Sequence, residues 1–202
     1  MKRLLYFAIA ILALGSCCNT PEKSAGLSAL DVIANRKSVR SYTEQKLSED
    51  QIETLLRAAM AAPSGMNVQP WRFVVITDQE VKDALQGEAR GPRKMYSEAA
   101  AIFVVCGETR FADREGQLRE NGNWTADCAA ATENLLLAAE AIGLGAVWTA
   151  CYPYEERMSR AVEVLGIPEG ITPYSVVPVG YPAGDETPKD KWKPENIHRE
   201  KW

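Results

Sequence analysis

The stretch TADCAAATENLLLAAEAI, residues 125–142, decides the fold class of this chain. Its apolar residues fall on nearly every side of a helix, among them Ala130, Leu135 and Leu137. A surface helix carries one apolar stripe, whereas a helix that is apolar all round has to be buried. Gly143 and Gly145 follow the stretch and end it. We therefore predict a central helix that the rest of the chain covers.

Four apolar runs around this helix predict β-strands, at residues 72–77, 101–106, 146–149 and 174–179. The run at 101–106 is continuous, which indicates cover on both faces of the sheet. Pro178 has no N–H to donate, so it predicts an edge position or a bulge for the last strand. Because helices and strands alternate imperfectly, the predicted class is α/β or α+β, with helices covering a mixed sheet.

Shorter helices are predicted from their caps. The residues Ser48-Glu49-Asp50-Gln51 form a capping box, and Pro63 ends the helix that the box opens. One face of this helix is apolar and carries Ile52, Leu55, Leu56, Ala59 and Met60. Further helices are predicted at residues 28–35, 78–86 and 154–165. Residues 87–96 are predicted to be a loop, and residues 111–123 a charged, flexible excursion.

The N-terminus has the pattern of an export signal. A basic start precedes an apolar run, residues 4–14, that is shorter than the roughly 20 residues a transmembrane helix needs. LGSC, residues 14–17, resembles a bacterial lipobox, which predicts a signal peptide at 1–16, a lipidated Cys17, a linker at 17–27 and one domain at 28–202. The expected location is the periplasmic or cell-surface side of a membrane, held by acyl chains. A plain signal peptide, or a start codon assigned too early, are the alternatives.

Composition and cysteine spacing exclude several classes of protein. The chain is 46% hydrophobic and 25% charged with a net charge of −4, and no basic run follows the N-terminus, which argues against nucleic-acid binding.

Three cysteines, Cys106, Cys128 and Cys151, lie in apolar stretches without a CxxC spacing. This pattern favours buried free thiols over a zinc site and leaves a disulfide open. The single histidine, His198, lies in the tail, which argues against a Ser-His-Asp or Cys-His system. Neither a GxGxxG following a strand nor a P-loop occurs.

A basic cluster at residues 36–40 is the first candidate binding element. It contains Arg36, Lys37, Ser38 and Arg40. Arg36 and Arg40 share a face in a helix, and Arg36, Ser38 and Arg40 share one in a strand. Guanidinium groups match phosphate oxygens in geometry, which favours an anion site. The alternative is a solvated basic helix end beside the negative pole of the helix dipole.

A rigid polar loop, residues 63–71, is the second candidate. Pro63 and Pro70 bracket Ser64, Asn67 and Gln69. Proline stiffens a loop, and amide side chains offer donors and acceptors together, which suits the polar edge of a flat heterocycle. The alternative is a structural turn between a helix and a strand.

Five segments in order resemble the nitroreductase family, and they span roughly residues 28–202. They are RKSVRSY (36–42), APSGMNVQPWRFVVI (62–76), AAATENLLLAAEAIGLGAVW (129–148), GIPEGITPYSVVPVGYP (166–182) and PKDKW (188–192). The resemblance implies an α+β, three-layer fold with a mixed, mainly antiparallel central sheet flanked by helices. It also implies an intertwined homodimer with FMN at the subunit interface and a wrapping C-terminal arm.

The resemblance further implies roles for individual residues. Arg36, Ser38 and Arg40 would bind the phosphate, ribityl chain and pyrimidine edge of FMN, with Lys37 assisting. Asn67 and Gln69 would lie near the flavin ring. Pro63 and Ser64 would come from the partner subunit. The backbone of Val147, Trp148 and Thr149 would run along the flavin, and Lys189 and Lys191 would complete the phosphate site.

The implied activity is transfer of a hydride from NADH or NADPH through flavin N5 to a nitroaromatic, quinone or similar acceptor, without a catalytic side chain. Two alternatives stay open: an exported flavin-binding protein without nicotinamide-driven turnover, and a specialised chemistry such as reductive dehalogenation or flavin fragmentation. Tyr96, Phe111 and Trp124 are candidates either for a substrate pocket or for the core.

Overall fold

The computed structural model describes residues 27–87 and 95–202. The predicted signal peptide, Cys17 and residues 17–26 of the predicted linker lie outside the described residues. So do residues 88–94 of the loop predicted at 87–96.

The described residues form six α-helices and seven β-strands. The helices are α1 (Ala29–Asn35), α2 (Glu49–Met60), α3 (Gln79–Gln86), α4 (Met95–Glu98), α5 (Trp124–Ala141) and α6 (Glu155–Leu165). The strands are β1 (Trp71–Ile76), β2 (Ala101–Glu108), β3 (Arg110–Ala112), β4 (Leu118–Glu120), β5 (Gly145–Ala146), β6 (Thr149–Ala150) and β7 (Ile171–Gly180). Short 3₁₀ turns occupy Gly65–Asn67 and Pro194–Asn196.

The central sheet has the order β1-β2-β7-β5, with β6 also paired to β7, and these pairs are all antiparallel. A parallel bridge joins Ser38 to Ala146 of β5, which extends the sheet by the basic segment. The α+β class and the mainly antiparallel sheet are confirmed.

Alternate residues of β2 separate the two halves of the core. Ile102 and Val104 belong to the side covered by α3 and α6, whereas Ala101 and Phe103 pack with α2 and α5. Every residue from 101 to 107 is buried, as the continuous apolar run predicts. The three-layer arrangement follows, with α5 at its centre. The prediction that α5 is covered all round is wrong for the single chain, because one face is buried, including Leu135 and Leu136, whereas Ala130 and Leu137 on the other face are only half-buried.

The helix caps formed as predicted. The Ser48 hydroxyl accepts from the Gln51 amide at 3.2 Å, and the Gln51 side chain accepts from the Ser48 amide at 3.0 Å. Ser28 and Asp31 make the same exchange at the start of α1. Met60 is an exception to the predicted apolar face of α2, since it is 51% exposed.

The edge position predicted for the last strand is wrong, whereas the alternative, a bulge in that strand, is present, at Tyr174 and not at Pro178. Strand β7 lies inside the sheet, and its irregular register falls at Tyr174, which has no partner between the pairs Val105↔Ser175 and Cys106↔Pro173. The missing N–H of Pro178 has a different consequence. Pairing with β7 lapses at Val147 and Trp148, between β5 and β6, because Pro178 can only accept, from the Val147 amide at 3.4 Å. The single strand predicted at 146–149 is therefore two short strands.

The excursion predicted at 111–123 contains the hairpin β3–β4. Asp113 organises its turn, because its carboxylate accepts from the Gln117 amide at 2.7 Å and pairs with Arg119 at 2.7 Å. These hydrogen bonds lower the pKa of Asp113, the Arg119 contact most of all. Residues 95 and 96, predicted as loop, begin α4. Over the described ranges, no helix is both long and apolar enough to span a bilayer.

Candidate functional site

The basic segment 36–40 leaves α1 as extended chain and lies against the end of the sheet. The Val39 amide donates to the Ala146 carbonyl at 3.0 Å, and the Val39 side chain is fully buried. Gly145 makes room for it, since a Cβ at that position would lie 2.7 Å from the Val39 side chain. With Val39 directed inward, Ser38 and Arg40 fall on the opposite side of the extended chain.

The cations of this segment have different partners. Arg36 Nε lies 3.2 Å from Glu133 Oε1, and Lys37 Nζ lies 3.1 Å from Glu140 Oε1. Arg40 is exposed, and its guanidinium donates only weakly, at 3.4 Å, to the Ser38 carbonyl. Arg40 is therefore the cation of this segment that is most available to an external anion.

The segment that follows β7 returns to the basic segment. The Ala183 amide donates to the Ser41 carbonyl at 3.1 Å, and Glu186 Oε1 accepts from the Arg40 amide at 3.3 Å. Lys189 and Lys191 follow within five residues of Glu186, and both are exposed. The structure thus brings the chain that carries these lysines back to the segment that carries Ser38 and Arg40.

Strands β5 and β6 flank the same region. The Thr149 hydroxyl lies 2.6 Å from the Val176 carbonyl and 2.5 Å from the Tyr96 hydroxyl. The hydrogen bonds of this hydroxyl are therefore made within the protein. The Trp148 ring meets the Tyr174 ring edge-on, with centroids 5.7 Å apart. What this stretch offers a ligand is therefore its backbone, where the ladder lapses at Val147 and Trp148.

The polar loop 63–69 is held in an uncommon backbone conformation. Met66, Asn67 and Gln69 have φ of 51°, 57° and 53°, in the left-handed region. Such positions cost on the order of 1–3 kcal/mol each and gather at functional sites. The Ser64 hydroxyl accepts from the Gln69 amide at 3.0 Å, and Gln69 Nε2 donates to Asn67 Oδ1 at 3.0 Å. The loop therefore presents a fixed, solvent-facing amide pair.

The loop and the Lys37 end of the basic segment lie at different parts of α5. Gly65 of the loop bonds to Asp127 near the start of α5, whereas Lys37 pairs with Glu140 near its end. Thirteen residues of helix correspond to about 20 Å at 1.5 Å per residue. The Arg36 end of the basic segment lies closer to the loop, since its partner Glu133 is six residues, or about 9 Å, from Asp127 along the helix.

The buried thiols are chemically quiet. Burial raises the pKa of Cys106 and of Cys128 to about 12 and that of Cys151 to about 11. All three are free and buried, as predicted. A thiol needs a lowered pKa to serve as a nucleophile, so these cysteines are structural. No group of metal-ligating side chains occurs within residues 27–87 and 95–202.

The aromatic candidates divide between core and surface. Trp124 packs edge-on against Tyr152 and Tyr174, with ring centroids 4.9 and 5.9 Å apart. Tyr96 is bound to Thr149. Phe111 lines an open cavity of about 650 Å³ between the β3–β4 hairpin and the turn before β7. His198 is exposed and stacks on Trp202, with centroids 4.1 Å apart.

Several functional partners were missed by the sequence reasoning. They are the carboxylates Asp127, Glu133, Glu140 and Glu186. Glu133 and Glu140 are seven residues apart and so share a face of α5, but nothing in the sequence pairs that face with Arg36 and Lys37. Three buried atoms have no partner among the described residues: Asn121 Nδ2, Asp127 Oδ2 and Glu186 Oε2.

The fold and site together define a class of protein: an antiparallel α+β sandwich with a basic segment and a strained polar loop, both packed on one central helix. The Nitroreductase family model matches residues 33–94 and 87–181. The chain belongs to the nitroreductase family.

Individual proteins agree with this assignment. An Archaeoglobus fulgidus protein, provisionally named NADH dehydrogenase/NAD(P)H nitroreductase, is 43% identical over 86% of this chain and 98% of its own length. A solved structure with the same provisional name, from Bacteroides thetaiotaomicron, matches with a TM-score of 0.78 at 43% identity, over 88% of this chain and 99% of that one. The Bacillus subtilis FMN reductase (NADPH) is 29% identical over 85% of this chain and 72% of its own length.

Proposed function

We propose that this protein is an FMN-dependent oxidoreductase that uses NADH or NADPH to reduce a nitroaromatic, quinone or similar acceptor. The observation that carries the proposal is the return of the tail to Arg40 beside β5. It gathers Ser38, Arg40 and the segment of Lys189 and Lys191 at one edge of the sheet. The names of the relatives, which include NAD(P)H nitroreductase and FMN reductase, support the same activity.

The residues present fit FMN. A phosphate needs cationic and hydroxyl donors, which Arg40, Ser38, Lys189 and Lys191 supply. Arg36 would join them by exchanging Glu133, which is 44% exposed, for the ligand. Lys37 would act indirectly, because Glu140 already neutralises its charge.

When bound, FMN would supply the two-electron chemistry that passes a hydride from the nicotinamide to the acceptor. The chain would contribute binding and electrostatics. Cations beside the ring would stabilise negative charge on the reduced cofactor. Asn67 and Gln69 would orient its polar edge through the amide pair that the left-handed loop fixes. The buried, protonated thiols would take no part.

A homodimer would complete each site. The resemblance to the nitroreductase family implies FMN at the subunit interface, so the loop of one chain would serve the flavin held by the partner's basic segment. The distance of about 20 Å along α5 between the loop and Lys37 supports this arrangement. The exposed tail, including Trp192 and Trp202, would act as an arm against the partner.

We also propose that the chain is exported and anchored at the membrane through Cys17. The support is the basic start, the apolar run and the lipobox-like LGSC. This location favours a second candidate function, a flavoprotein that takes electrons from a donor other than NADH or NADPH, since nicotinamides are scarce outside the cytoplasm.

An absorbance spectrum of the purified protein, before and after anaerobic NADH or NADPH, tests the proposal. Flavin bands that bleach are expected, and the nucleotide that bleaches them faster is the donor. Flavin bands that persist would favour the second candidate. A protein without flavin, even after reconstitution with FMN, would contradict both.

Changing Arg36 and Arg40 to Ala should lower FMN retention at least about tenfold, since charged hydrogen bonds to a phosphate are lost. The fold should survive, because Arg40 is exposed and Arg36 pairs with a carboxylate that is 44% exposed and can be solvated when the pair is lost. Arg57→Ala with Arg110→Ala is the control, since it also removes two guanidinium groups, and both of these exposed arginines pair with a carboxylate as Arg36 does. Flavin content is measured against protein by absorbance. Full flavin in the first variant would contradict the site.

A further inference from the structure

Asp127 lies in the first turn of α5, and its carboxylate is bound to the polar loop. Oδ1 accepts from the Gly65 amide at 2.9 Å, and the residue is only 5% exposed. Among the described residues nothing donates to Oδ2. A buried carboxylate with so few donors is costly, so a residue with a purely space-filling role would be apolar.

The bond to Asp127 differs from the other hydrogen bonds of the loop. Asn67 donates to the Ser64 carbonyl and Val68 to the Gly65 carbonyl, both at 3.0 Å, so these bonds stay within the loop. Arg72, three residues beyond Gln69, donates to the Gln69 carbonyl at 3.3 Å. In the described ranges, Asp127 thus provides the one hydrogen bond to residues 63–69 from an element distant in sequence.

Close packing at Gly65 adds to this tether. A Cβ on Gly65 would lie 2.6 Å from Asn123 Nδ2, so the loop backbone passes directly over the residue that precedes α5. Gly65 is followed by Met66 and Asn67, both left-handed. Because these conformations are strained, the loop needs an external anchor to keep them.

We propose that Asp127 is a positioning residue for the flavin site, which it serves by fixing the Gly65 amide and thereby the placement of Asn67 and Gln69. The inference rests on the proposed function, since it assigns FMN as the ligand that the loop meets. A charge-assisted hydrogen bond is about twice as strong as a neutral one, which suits an anchor that holds a strained loop. Asp127 itself makes no contact with the ligand in this proposal.

The test compares Asp127→Ala, Asp127→Asn and Asn134→Ala in the full chain. Asn134 is the matched control, because its side chain also joins α5 to another element, donating to the Ala58 carbonyl at 3.0 Å, but it does so away from the loop. The readouts are the FMN dissociation constant, kcat and KM with a nitroaromatic acceptor, and hydrogen exchange of the amides of residues 64–69 without FMN.

We expect Asp127→Ala to weaken FMN binding about tenfold or more and to speed exchange at Gly65 by a similar factor. Asp127→Asn keeps a neutral oxygen acceptor for the Gly65 amide and should recover about half of both losses on a logarithmic scale, because a neutral hydrogen bond is about half as strong. Asn134→Ala should lower thermal stability without changing loop exchange or FMN binding. A role confined to overall stability would instead make the two alanine variants alike.

Unchanged loop exchange in Asp127→Ala would overturn the tether, whether or not flavin binds. Faster exchange with unaltered FMN affinity and turnover would overturn the link to the flavin site. A wild-type protein that takes up no FMN would contradict the proposed function and, with it, the flavin assignment, while the exchange data still decide the tether.

Discussion

The cations of the basic segment differ in how available they are to a ligand, because their partners in the structure differ. Lys37 faces Glu140, whose side chain is only 13% exposed, so removing Lys37 would leave a carboxylate in a poorly solvated place. Arg36 faces a better solvated carboxylate, and the Arg40 guanidinium forms no ion pair within the described residues, although Glu186 accepts from the Arg40 backbone amide. Neighbouring cations therefore divide into one structural ion pair and two that are open to a ligand.

The three buried cysteines predict an alkaline loss of stability. An unfolded thiol ionises near pH 8.5, whereas the pKa values of Cys106, Cys128 and Cys151 in the fold are about 12, 12 and 11. Between these values the folded chain holds more protons than the unfolded chain. The free energy of unfolding therefore falls as pH rises through this window, by up to about 1.4 kcal/mol per pH unit for each thiol.

Urea unfolding under reducing conditions at pH 8, 9 and 10 measures this slope. Replacing Cys151 by Ala should make the slope shallower by about 1.2 kcal/mol per pH unit between pH 9 and 10, since the unfolded thiol is not fully ionised at pH 9. The difference between the two proteins isolates the thiol from tyrosines and from Lys82, which titrate in both. Equal slopes would mean that Cys151 ionises in the fold as it does in the unfolded chain.

At the scale of elements, the short strand β5 positions the basic segment. Gly145 leaves space for the Val39 side chain. With Val39 held inward, its two neighbours in the chain, Ser38 and Arg40, lie on the opposite face of the extended segment. Changing Gly145 to Ala would place a Cβ 2.7 Å from Val39, and overpacking of this kind costs about 1–3 kcal/mol. We expect both stability and FMN affinity to fall.

A double-mutant cycle with Val39→Ala checks the cause. Val39→Ala removes two of the three atoms that the new Cβ would meet, so the double variant should be more stable than the two single losses predict. Gly122→Ala is the control, because a Cβ there meets nothing within 4 Å. If the losses in the free energy of unfolding, measured in urea, are strictly additive, the new Cβ at position 145 does not clash with the Val39 side chain.

Local signals in the sequence predicted most elements, and their failures have a physical reason. Ser48 and Gln51 formed the capping box because its hydrogen bonds depend on neighbours three residues apart. The edge position predicted from Pro178 was wrong because the missing N–H is accommodated by the gap between β5 and β6. This gap lies on the neighbouring strand, so the sequence around Pro178 does not indicate it. For the site, the motif residues were identifiable, whereas Glu133, Glu140 and Asp127 depend on contacts across 62 or more residues.

At the scale of the whole molecule, α5 separates the two candidate binding elements. One side chain near its start holds the polar loop, and others further along hold the cations of the basic segment. On the proposed function, a single chain would carry two half-sites, which two copies related by symmetry would combine into two complete sites. Loss of the dimer should therefore cost flavin binding as well as oligomeric state.

Helix α1 offers the surface on which to test this relation. Leu30 is 78% exposed and Ile33 is 56% exposed, and both stand on the helix that leads directly into Arg36. Changing Leu30 to Glu should convert a dimer into a monomer by placing a charge in an apolar interface, and FMN retention should fall with it. Light scattering coupled to size exclusion gives the mass, and absorbance gives the flavin content.

The control is Leu118→Glu, a change at a residue of the β3–β4 hairpin that is 63% exposed, which should leave both the mass and the flavin content unchanged. A Leu30→Glu protein that stays dimeric would place the interface elsewhere, and a monomer that keeps its full flavin would show that one chain builds a complete site.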